Sequence, residues 1–362
     1  MKVLVLMTDS YAGFGGIAQY NRDVLDSLNS CDDVSEIRSI TRQAQQIDVE
    51  IPEKLKESCV LNKVSYLLAV IWQVVSWRPD VLLCGHINLL SIASIAGLLG
   101  RFPIILEIYG IDAWQKKGTL TNLFLKRANR IISISRYTAK RFLSWSEVDK
   151  SIVDIIPNAI HLDRYVMKEK PDYLIERYAL QGKRVLLTLG RLSAQEQYKG
   201  HDRIISLMPE LVQRYSDLVY MIAGDGDDRI RLEELTRKLE VEAFVKFVGR
   251  VAESEIIDHY NVADAFAMPS TGEGFGFVFL EAAACGLPVL GGGVDGSADA
   301  LLDGELGIMI NPDNEEDLCE GLVRLLNSPV KSLQTEKLNG FAFNRFRGQV
   351  IVCMSVATKC EG

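Results

Sequence analysis

The segment Glu273-Gly-Phe-Gly-Phe-Val-Phe-Leu-Glu281 places two carboxylates eight positions apart, on either side of a glycine-containing turn. The apolar run after the turn predicts the start of a helix. If all eight steps were helical, the carboxylates would lie roughly 12 Å apart along the axis. That distance is too large for joint attack on one bond, but it suits contacts with the two ends of an elongated polyol ligand such as a nucleotide sugar. The alternative is that one carboxylate caps the helix or complements its dipole and the other faces solvent.

Outward from this segment, short apolar strands alternate with helical patterns in both halves of the chain, which is typical of doubly wound parallel sheets. Residues 60–77 have apolar side chains at helical spacing, and we expect one face of that helix to pack on the first sheet. The residues that carry this spacing are Val60, Val64, Leu67, Leu68, Ile71, Val74 and Val75. The predicted strands are 3–7, 36–40, 81–84, 104–108, 130–134 and 154–156 in the first half, and 184–190, 218–223, 245–248, 265–268, 288–290 and 308–310 in the second.

A chain of 362 residues exceeds what one hydrophobic core normally serves, so we expect two domains. The predicted fold class is α/β, with two Rossmann-like domains facing a cleft. The domain boundaries are set at 1–165 and 183–335, with a linker at 166–182. The remaining segment, 336–362, is predicted to contain a C-terminal helix that crosses back to the first domain.

The formal net charge of -8 argues against a general nucleic-acid binder, because affinity for a phosphate backbone needs a basic surface. Seven cysteines without a Cys-x-x-Cys pair indicate reduced, intracellular thiols. The apolar residues that follow Met1 predict a first strand and not a signal peptide. Residues 81–100 carry no formal charge, but Gly85, His86 and Asn88 interrupt them, so they predict a strand, a loop and a buried helix instead of a membrane span. We therefore expect a cytoplasmic protein.

Two cations lie in the loop that follows the first strand of the second half, Arg191 and Lys199. Charge-assisted hydrogen bonds from such a pair suit a diphosphate and stabilise the charge on a departing nucleoside diphosphate. The alternative is that both are solvated surface cations.

Two glycine-containing turns predict further contacts to a phosphate or sugar. Gly15 and Gly16 close the first strand before a helix and allow close backbone approach, although a merely tight turn explains them as well. The turn is not Gly-x-Gly-x-x-Gly, which argues against a dinucleotide site. Phe275, Gly276 and Phe277 can present backbone amides at the start of the helix predicted to contain Glu281.

The Glu-x7-Glu pattern, the Arg191 and Lys199 loop and the order of the segments up to Asn311-Pro312 resemble retaining glycosyltransferases of family 4, which have the GT-B fold. The resemblance implies that the first domain binds an acceptor and the second a nucleotide-sugar donor. It also implies that Glu273 contacts hydroxyls of the transferred sugar, that Glu281 contacts the ribose, and that Arg191 and Lys199 bind the donor phosphates.

The resemblance extends to two other segments. Val251 matches the end of the family's base-binding strand. In the first domain, Tyr109 stands where the family usually has a histidine, and its phenol is a candidate hydrogen-bond partner for a sugar hydroxyl that does not titrate near neutral pH. Asp112 is a candidate acid or base on the acceptor side, although it is equally suited to cap the next helix.

No metal or cofactor is expected. The four histidines lack metal-ligand spacing, and there is no Asp-x-Asp pair at a strand end, so Arg191 and Lys199 are expected to replace a cation bridge to the diphosphate. Without a Ser-His-Asp or activated Cys arrangement, the resemblance implies front-face retention, in which the leaving phosphate takes the acceptor's proton. The sequence does not distinguish this front-face mechanism from one that passes through a covalent glycosyl-enzyme intermediate.

A basic cluster at 116–141 stands out in an acidic protein and carries apolar residues between its cations. It suits an anionic lipid-linked acceptor and peripheral contact with the inner face of the cytoplasmic membrane, unless it is an ordinary solvated helix face. The leading hypothesis is thus a hexose-type transfer to a saccharide or lipid-linked acceptor in capsule, O-antigen or exopolysaccharide synthesis. The competing hypotheses are a nucleotide-sugar epimerase of the same fold and a noncatalytic nucleotide-sugar-binding protein.

Overall fold

The computed structural model of the protein describes residues 1–13, 15–42, 51–328 and 334–359. They divide into two compact units. The first comprises residues 1–159 together with the segment that begins at Phe341, and the second comprises residues 160–340. Each unit contains one parallel sheet with helices packed on it, and the predicted α/β class with two Rossmann-like domains is confirmed.

The strands of the first unit are β1 (Lys2–Met7), β2 (Glu36–Thr41), β3 (Leu55–Cys59), β4 (Val81–Cys84), β5 (Ile104–Ile108), β6 (Arg130–Ser133) and β7 (Val153–Ile155). They form a parallel sheet in the order β3-β2-β1-β4-β5-β6-β7. The central strands β1, β4 and β5 are near-continuous apolar runs because both of their faces are covered. Chain order reverses between β1 and β4.

The helices of this unit are α1 (Gly16–Asn29), α2 (Lys63–Trp77), α3 (Leu90–Gly100), α4 (Ile111–Trp114), α5 (Thr119–Leu125), α6 (Arg136–Leu143) and, from the end of the chain, α15 (Phe343–Lys359). Right-handed crossovers that run in opposite directions along a sheet place their helices on opposite faces, so α1 covers one face while α2, α3 and α5 cover the other. Helix α15 packs on α1, where the rings of Tyr20 and Phe346 meet edge to face at 5.2 Å.

The predicted packing face of α2 is wrong for three of its residues. Val64, Leu68 and Val75 are exposed. Val74 is buried as predicted, and the helix also buries Tyr66, Val70 and Trp77. The Tyr66 hydroxyl donates a hydrogen bond to the carbonyl of Ile40 in β2, which helps to select this face. Apolar residues occupy most of the circumference of α2, so helical spacing alone does not identify the side that faces the sheet.

The second unit contains β8 (Arg184–Leu189), β9 (Leu218–Ala223), β10 (Val245–Gly249), β11 (Ala265–Met268), β12 (Val289–Gly292) and β13 (Ile308–Ile310). Its helices are α7 (Asp172–Arg177), α8 (His201–Arg214), α9 (Arg229–Lys238), α10 (Ile256–Val262), α11 (Phe277–Ala284), α12 (Ser297–Ala300), α13 (Glu315–Leu326) and α14 (Thr335–Leu338). The parallel sheet has the order β10-β9-β8-β11-β12-β13, and chain order reverses between β8 and β11.

Two segments differ from the sequence-based expectations. Strand β3 was not predicted, because this edge strand has the sequence Leu-Lys-Glu-Ser-Cys and buries only Leu55. The segment 166–182, expected as a linker, includes α7, whose Arg177 pairs with Glu255 at 2.9 Å next to α10.

One carboxyl group lies inside the first sheet. Glu107 in β5 is fully buried, and its Oε2 lies 2.7 Å from the hydroxyl of Tyr109, which also lies 2.7 Å from Oδ1 of Asn21. Asn21 donates from Nδ2 to the carbonyl of Asp9, which leaves its Oδ1 as an acceptor. The single phenol proton of Tyr109 therefore faces two acceptors, Asn21 Oδ1 and Glu107 Oε2, and can be donated to only one of them at a time. Burial raises the pKa of Glu107 to about 7, against the opposing effect of Tyr109.

We therefore expect Glu107 to destabilise the first unit as the pH rises from about 4.5 to about 7, because the folded state holds the proton to a higher pH than the unfolded chain does. Glu107→Gln should remove this part of the decrease in unfolding free energy, which denaturant unfolding at a series of pH values would measure. Glu36→Gln is the control, because the pKa of Glu36 is shifted in the opposite direction. Its hydrogen bond from Lys56 lowers the pKa of Glu36 to about 2, so its contribution is lost only as the pH falls below about 4.5. An unchanged pH profile in Glu107→Gln would contradict the assignment.

Candidate functional site

The loops at the two chain reversals are where open parallel sheets bind ligands. In the second unit these loops are residues 190–200 after β8 and residues 269–276 after β11. In the first unit they are residues 8–15 after β1 and residues 85–86 after β4. Most of the residues predicted to be functional lie in these loops or in the loops next to them, and the others lie in the helices that follow: Gly16, Asp112, Phe277 and Glu281.

The two loops of the second unit meet in a cluster of charges. Lys199 Nζ lies 3.2 Å from Glu273 Oε1 and 3.5 Å from Glu196 Oε2, and all three side chains are largely buried. Arg191 also pairs with Glu196, but its side chain is 78% exposed. Burial opposes a charge on Lys199, but Glu273 and Glu196 outweigh it and raise the pKa of Lys199. The site therefore holds a fixed, charged ammonium group beside a carboxylate.

Backbone contacts fix the relative position of these loops. The amide of Thr271 donates to the carbonyl of Tyr198 at 2.9 Å, and the Tyr198 ring fills the space where Gly272 has no side chain. Gly200 has a φ of 77°, and a Cβ atom there would lie 2.6 Å from the carbonyl oxygen of Pro269. Lys199 and Glu273 are thus positioned by the main chain as well as by their own attraction.

Asp295 holds the backbone of Glu273 and was not identified from the sequence. Its carboxylate accepts hydrogen bonds from the amide of Glu273 at 2.7 Å and from the hydroxyl of Ser270 at 2.9 Å. Burial raises the pKa of Asp295 to about 6, although these hydrogen bonds oppose the increase. Next to it, Gly296 donates to the carbonyl of Glu273, and a Cβ there would lie 2.1 Å from the carbonyl oxygen of Gly274. The sequence signal that could have identified Asp295 is its position as a carboxylate in the glycine-rich turn after β12.

Glu281 lies in a separate, buried environment of the same unit. Its Oε1 accepts from the hydroxyl of Tyr165 and its Oε2 from the hydroxyl of Tyr260, the latter at 2.7 Å. Burial raises the pKa of Glu281 to about 7. Helix α11 begins at Phe277, so Glu273 precedes the helix and the fully helical spacing considered for the two carboxylates does not apply. Neither tyrosine was identified from the sequence, since both are distant from Glu281 along the chain.

Four further residues predicted to contact the donor belong to the second unit and occupy the same edge of its sheet. Val251 is half-buried and follows β10 by two positions. Phe275 is buried before α11, Gly276 has a φ of 84°, and Phe277 is the first residue of the helix. A Cβ at Gly276 would lie 2.7 Å from the ring of Phe279, so this turn requires glycine.

His201 begins α8, directly after the loop that carries Arg191 and Lys199. It is buried, and its Nε2 has no hydrogen-bond partner among the described residues. Burial, followed by the charge of Lys199, lowers the pKa of His201 to about 4. The imidazole is therefore neutral near pH 7.

In the first unit, Tyr109 and Asp112 lie together after β5. The Asp112 carboxylate accepts from the amides of Gly110 at 2.7 Å and Tyr109 at 3.3 Å. It thus makes the backbone contacts expected of a residue that supports the start of α4, while its Oδ2 accepts no hydrogen bond from the described residues. Burial raises the pKa of Asp112, against the effect of His86. The phenol of Tyr109 points into the unit, to Glu107 and Asn21, and not to the surface.

His86 brings an imidazole to this place from the neighbouring strand. It follows β4, and its ring centroid lies 6.4 Å from that of Tyr109. Its Nδ1 accepts from the amide of Asn88 at 3.1 Å, which leaves Nε2 to carry the proton of the neutral ring. Burial lowers the pKa of His86, although Asp112 opposes this effect. No role was predicted for His86, because its proximity to Tyr109 depends on the pairing of β4 with β5.

Gly15 and Gly16 lie at the reversal point of the first unit. Gly15 has a φ of 94°, and no described atom lies within 4 Å of where its Cβ would be. Gly16 is the first residue of α1. Phe14, which precedes Gly15, lies outside the described residues.

Arg191, Lys199 and Glu273 thus form one cluster. Within the described part of the chain, no group of three or more His, Cys, Asp or Glu residues is arranged to hold a metal ion. In that same part, no helix has the length and apolar character needed to cross a membrane.

Comparisons with known proteins agree with this architecture. The family model "Glycosyl transferases group 1" matches residues 173–340, and "Glycosyltransferase Family 4" matches residues 34–164. A solved structure of Anabaena Alr3699/HepE in complex with UDP superposes with a TM-score of 0.80 at 18% identity, covering 98% of this chain and 100% of that one.

Two relatives show sequence similarity over much of the chain. A GDP-mannose-dependent alpha-(1-6)-phosphatidylinositol monomannoside mannosyltransferase from Mycolicibacterium smegmatis is 32% identical over 252 residues, which are 66% of this chain and 64% of that protein. A glycogen synthase from Mycobacterium tuberculosis is 26% identical over 268 residues, which are 70% of this chain and 62% of that protein. The chain thus spans just under two thirds of the length of these relatives. Together with the two family matches and the sheet topology, these similarities show that the chain belongs to the group 1 and family 4 glycosyltransferases, with the GT-B fold.

Proposed function

We propose that this protein is a retaining glycosyltransferase that moves a hexose-type sugar from a nucleoside-diphosphate sugar to a saccharide or lipid-linked saccharide. The assembly of a cell-surface polysaccharide such as a capsule, O-antigen or exopolysaccharide is the proposed setting. The observation that carries the proposal is the ion pair between Lys199 and Glu273 at the chain reversal of the second sheet, with Arg191 beside it.

In this proposal the two cations bind the donor diphosphate. Arg191 is mostly exposed, and an exposed ion pair such as the one with Glu196 is worth only about 0.2–1 kcal/mol. A charge-assisted hydrogen bond to a phosphate oxygen contributes about 1.5–3 kcal/mol, so exchange of Glu196 for phosphate is favourable. Lys199 needs less movement, because it is already held in place and charged by its carboxylate neighbours.

The proposed donor contacts place different parts of the ligand on different residues. Glu273 contacts hydroxyls of the transferred sugar and Glu281 contacts the ribose. The backbone of Phe275, Gly276 and Phe277 contacts the phosphate or sugar oxygens, and Val251 packs on the base. Gly15 and Gly16 allow close approach of the first unit's backbone to the donor. Asp112 serves the acceptor side, and Tyr109 supports it there through its backbone amide, because its phenol is turned inward.

The proposed chemistry breaks the bond between the anomeric carbon and the phosphate oxygen, and its electron pair leaves with the nucleoside diphosphate. An acceptor hydroxyl oxygen forms the new bond on the same face of the sugar, and its proton passes to the leaving phosphate. Arg191 and Lys199 stabilise the negative charge that develops on the diphosphate. This role requires no metal ion, so we propose a metal-independent transfer.

The nucleotide base of the donor and the identity of the acceptor are left to experiment, because the similar proteins differ in both. The mycobacterial relative is GDP-mannose-dependent and uses a phosphatidylinositol mannoside, whereas the Anabaena structure contains UDP. A glycogen synthase is also similar, so a purely saccharide acceptor is included in the proposal.

Thermal unfolding with UDP, GDP, ADP, their sugars and NAD tests the donor site. One nucleoside diphosphate should stabilise the protein, by about 2.7 kcal/mol at a hundred times its dissociation constant. Arg191→Gln and Lys199→Gln should each weaken its binding by about tenfold to a hundredfold, the equivalent of one charge-assisted hydrogen bond. Arg237→Gln, at an exposed position near the end of α9, is the control and should bind normally. Stabilisation by NAD alone, or normal binding by both variants, would contradict the proposal.

Glu273→Gln should lower the turnover number by on the order of a hundredfold while donor affinity changes little, because the amide keeps the shape but loses the charge beside the reacting sugar. Steady-state transfer assays and donor titrations separate these effects, with Glu316→Gln on the exposed side of α13 as the control. Product analysis with the donor alone distinguishes an epimerase, which converts the sugar without an acceptor. Binding without any turnover in the wild-type protein would instead indicate a nucleotide-sugar-binding protein.

Transfer should continue in excess EDTA at a rate close to that of the untreated protein, since two side-chain cations neutralise the diphosphate. Initial rates after chelation and after readdition of Mg²⁺ or Mn²⁺ check this expectation. Loss of activity in EDTA that either ion restores would show that a metal bridges the phosphates.

A further inference from the structure

Helix α2 has a second apolar face that packs on nothing in the described part of the first unit. Val64, Leu68, Trp72 and Val75 recur about once per helical turn, and their exposed fractions lie between 60% and 68%. Leu61, just before the helix, continues the row and is equally exposed. These residues lie opposite the face that α2 buries on the sheet, so the sheet core does not explain them. Contiguous exposed apolar side chains usually mark an interaction surface.

The neighbouring helices extend this row into a broader surface. Helix α3 packs beside α2, and α5 packs beside α3. The exposed apolar residues that they add are Ile95, Leu98, Leu99, Leu120 and Leu123. We call the outward side of α2, α3 and α5 the apolar face.

Cations outnumber acidic residues in the part of the chain that carries the apolar face. Residues 58–146 contain eleven Lys or Arg residues but only three acidic ones, in a chain whose formal net charge is -8. One of these acids, Glu107, is buried inside the sheet. Lys63, Arg78 and Lys116 are exposed at the ends of the helices or in the loops beside them. The surface thus combines apolar side chains with a positive rim.

A groove at the edge of the apolar face concentrates this charge. It has a volume of about 810 Å³ and lies between the end of α3 and the end of α5. Arg101, Lys126 and Arg127 line it together with Leu98 and Phe102. Lys126 also pairs with Glu147 at 2.9 Å, and both partners are exposed. Three cations next to apolar side chains suit a phosphate group that is attached to an acyl chain.

We propose that the apolar face docks the first unit on the surface of a bilayer that contains anionic phospholipids. Trp72, Leu68 and their neighbours enter the boundary between head groups and acyl chains, and the groove at Arg101 and Arg127 takes a lipid phosphate. Trp is favoured at this depth because one end of its ring system is apolar and the other is polar. Apolar insertion and a basic rim together are the two signals that peripheral attachment needs.

A second copy of this chain fits the apolar face less well. A symmetric dimer pairs the same patch with itself, so the mainly cationic rim of one copy would meet that of the other, and the acid beside the groove, Glu147, is already paired with Lys126. An anionic lipid surface complements the rim instead. The proposal uses no residue of the donor site, so it stands or falls independently of the proposed transfer.

Flotation with phosphatidylcholine vesicles, with and without phosphatidylglycerol and at low and high salt, tests the proposal on the full chain. The protein should float with the anionic vesicles, and high salt should weaken this binding. Leu68→Gln/Trp72→Gln should reduce the bound fraction by about tenfold or more, because both apolar anchors are lost. Ile230→Gln on α9, which removes an equally exposed apolar side chain from the second unit, is the matched control and should float like the wild type. Arg101→Gln/Arg127→Gln should lose the preference for anionic vesicles.

A second measurement uses quenching of tryptophan fluorescence by brominated acyl chains and needs no variant that destabilises the protein. The vesicles contain brominated phosphatidylcholine mixed with phosphatidylglycerol. Tryptophan fluorescence should be quenched on binding, and Trp72→Phe should bind the same vesicles with less quenching. The proposal is overturned if the wild type does not float with anionic vesicles or if Trp72→Phe is quenched as strongly as the wild type. It is also overturned if sedimentation without lipid shows a dimer that Leu68→Gln/Trp72→Gln converts to a monomer. Nucleoside-diphosphate binding, measured in parallel by thermal unfolding, should be the same in all of these variants.

Discussion

The candidate site depends on one buried ammonium group. Lys199 lies between Glu273 and Glu196, and its charge is retained only because these carboxylates outweigh the cost of burial. The same attraction joins the loop after β8 to the loop after β11, and these are the two strands between which the chain order of the sheet reverses. Removal of either partner would leave an uncompensated charge in a largely dehydrated position. Electrostatics and topology therefore specify the same location.

Much of the fold follows from the sequence because parallel strands that are covered on both faces are short apolar runs with clear ends. Strands β4, β5, β9, β11 and β13 have the predicted bounds. Strand β3 escapes prediction because an edge strand with polar side chains lacks that signal. The inward face of α2 was not predicted correctly for the opposite reason: apolar residues lie on both sides of this helix, so their spacing does not indicate which side is buried.

The candidate site was predictable in its charged residues but not in the residues that hold them. Arg191, Lys199 and Glu273 stand out because glycines and strand ends surround them in the sequence. Asp295 and His86 become relevant only when separate loops are brought together by strand pairing. The directions of side chains were equally hidden, as Tyr109 shows by turning its phenol towards a buried carboxyl group.

The tyrosine pair at Glu281 has a consequence for ligand selection. Both carboxylate oxygens already accept a phenol hydrogen bond in this structure. A ribose that reached Glu281 would replace these bonds one for one, so the number of hydrogen bonds would hardly change. Such an exchange adds little to the strength of binding but strongly disfavours a ligand that lacks the matching hydroxyl and leaves the carboxylate unpaired. Glu281 would then act as a filter for the sugar of the nucleotide, while the phosphates supply the affinity.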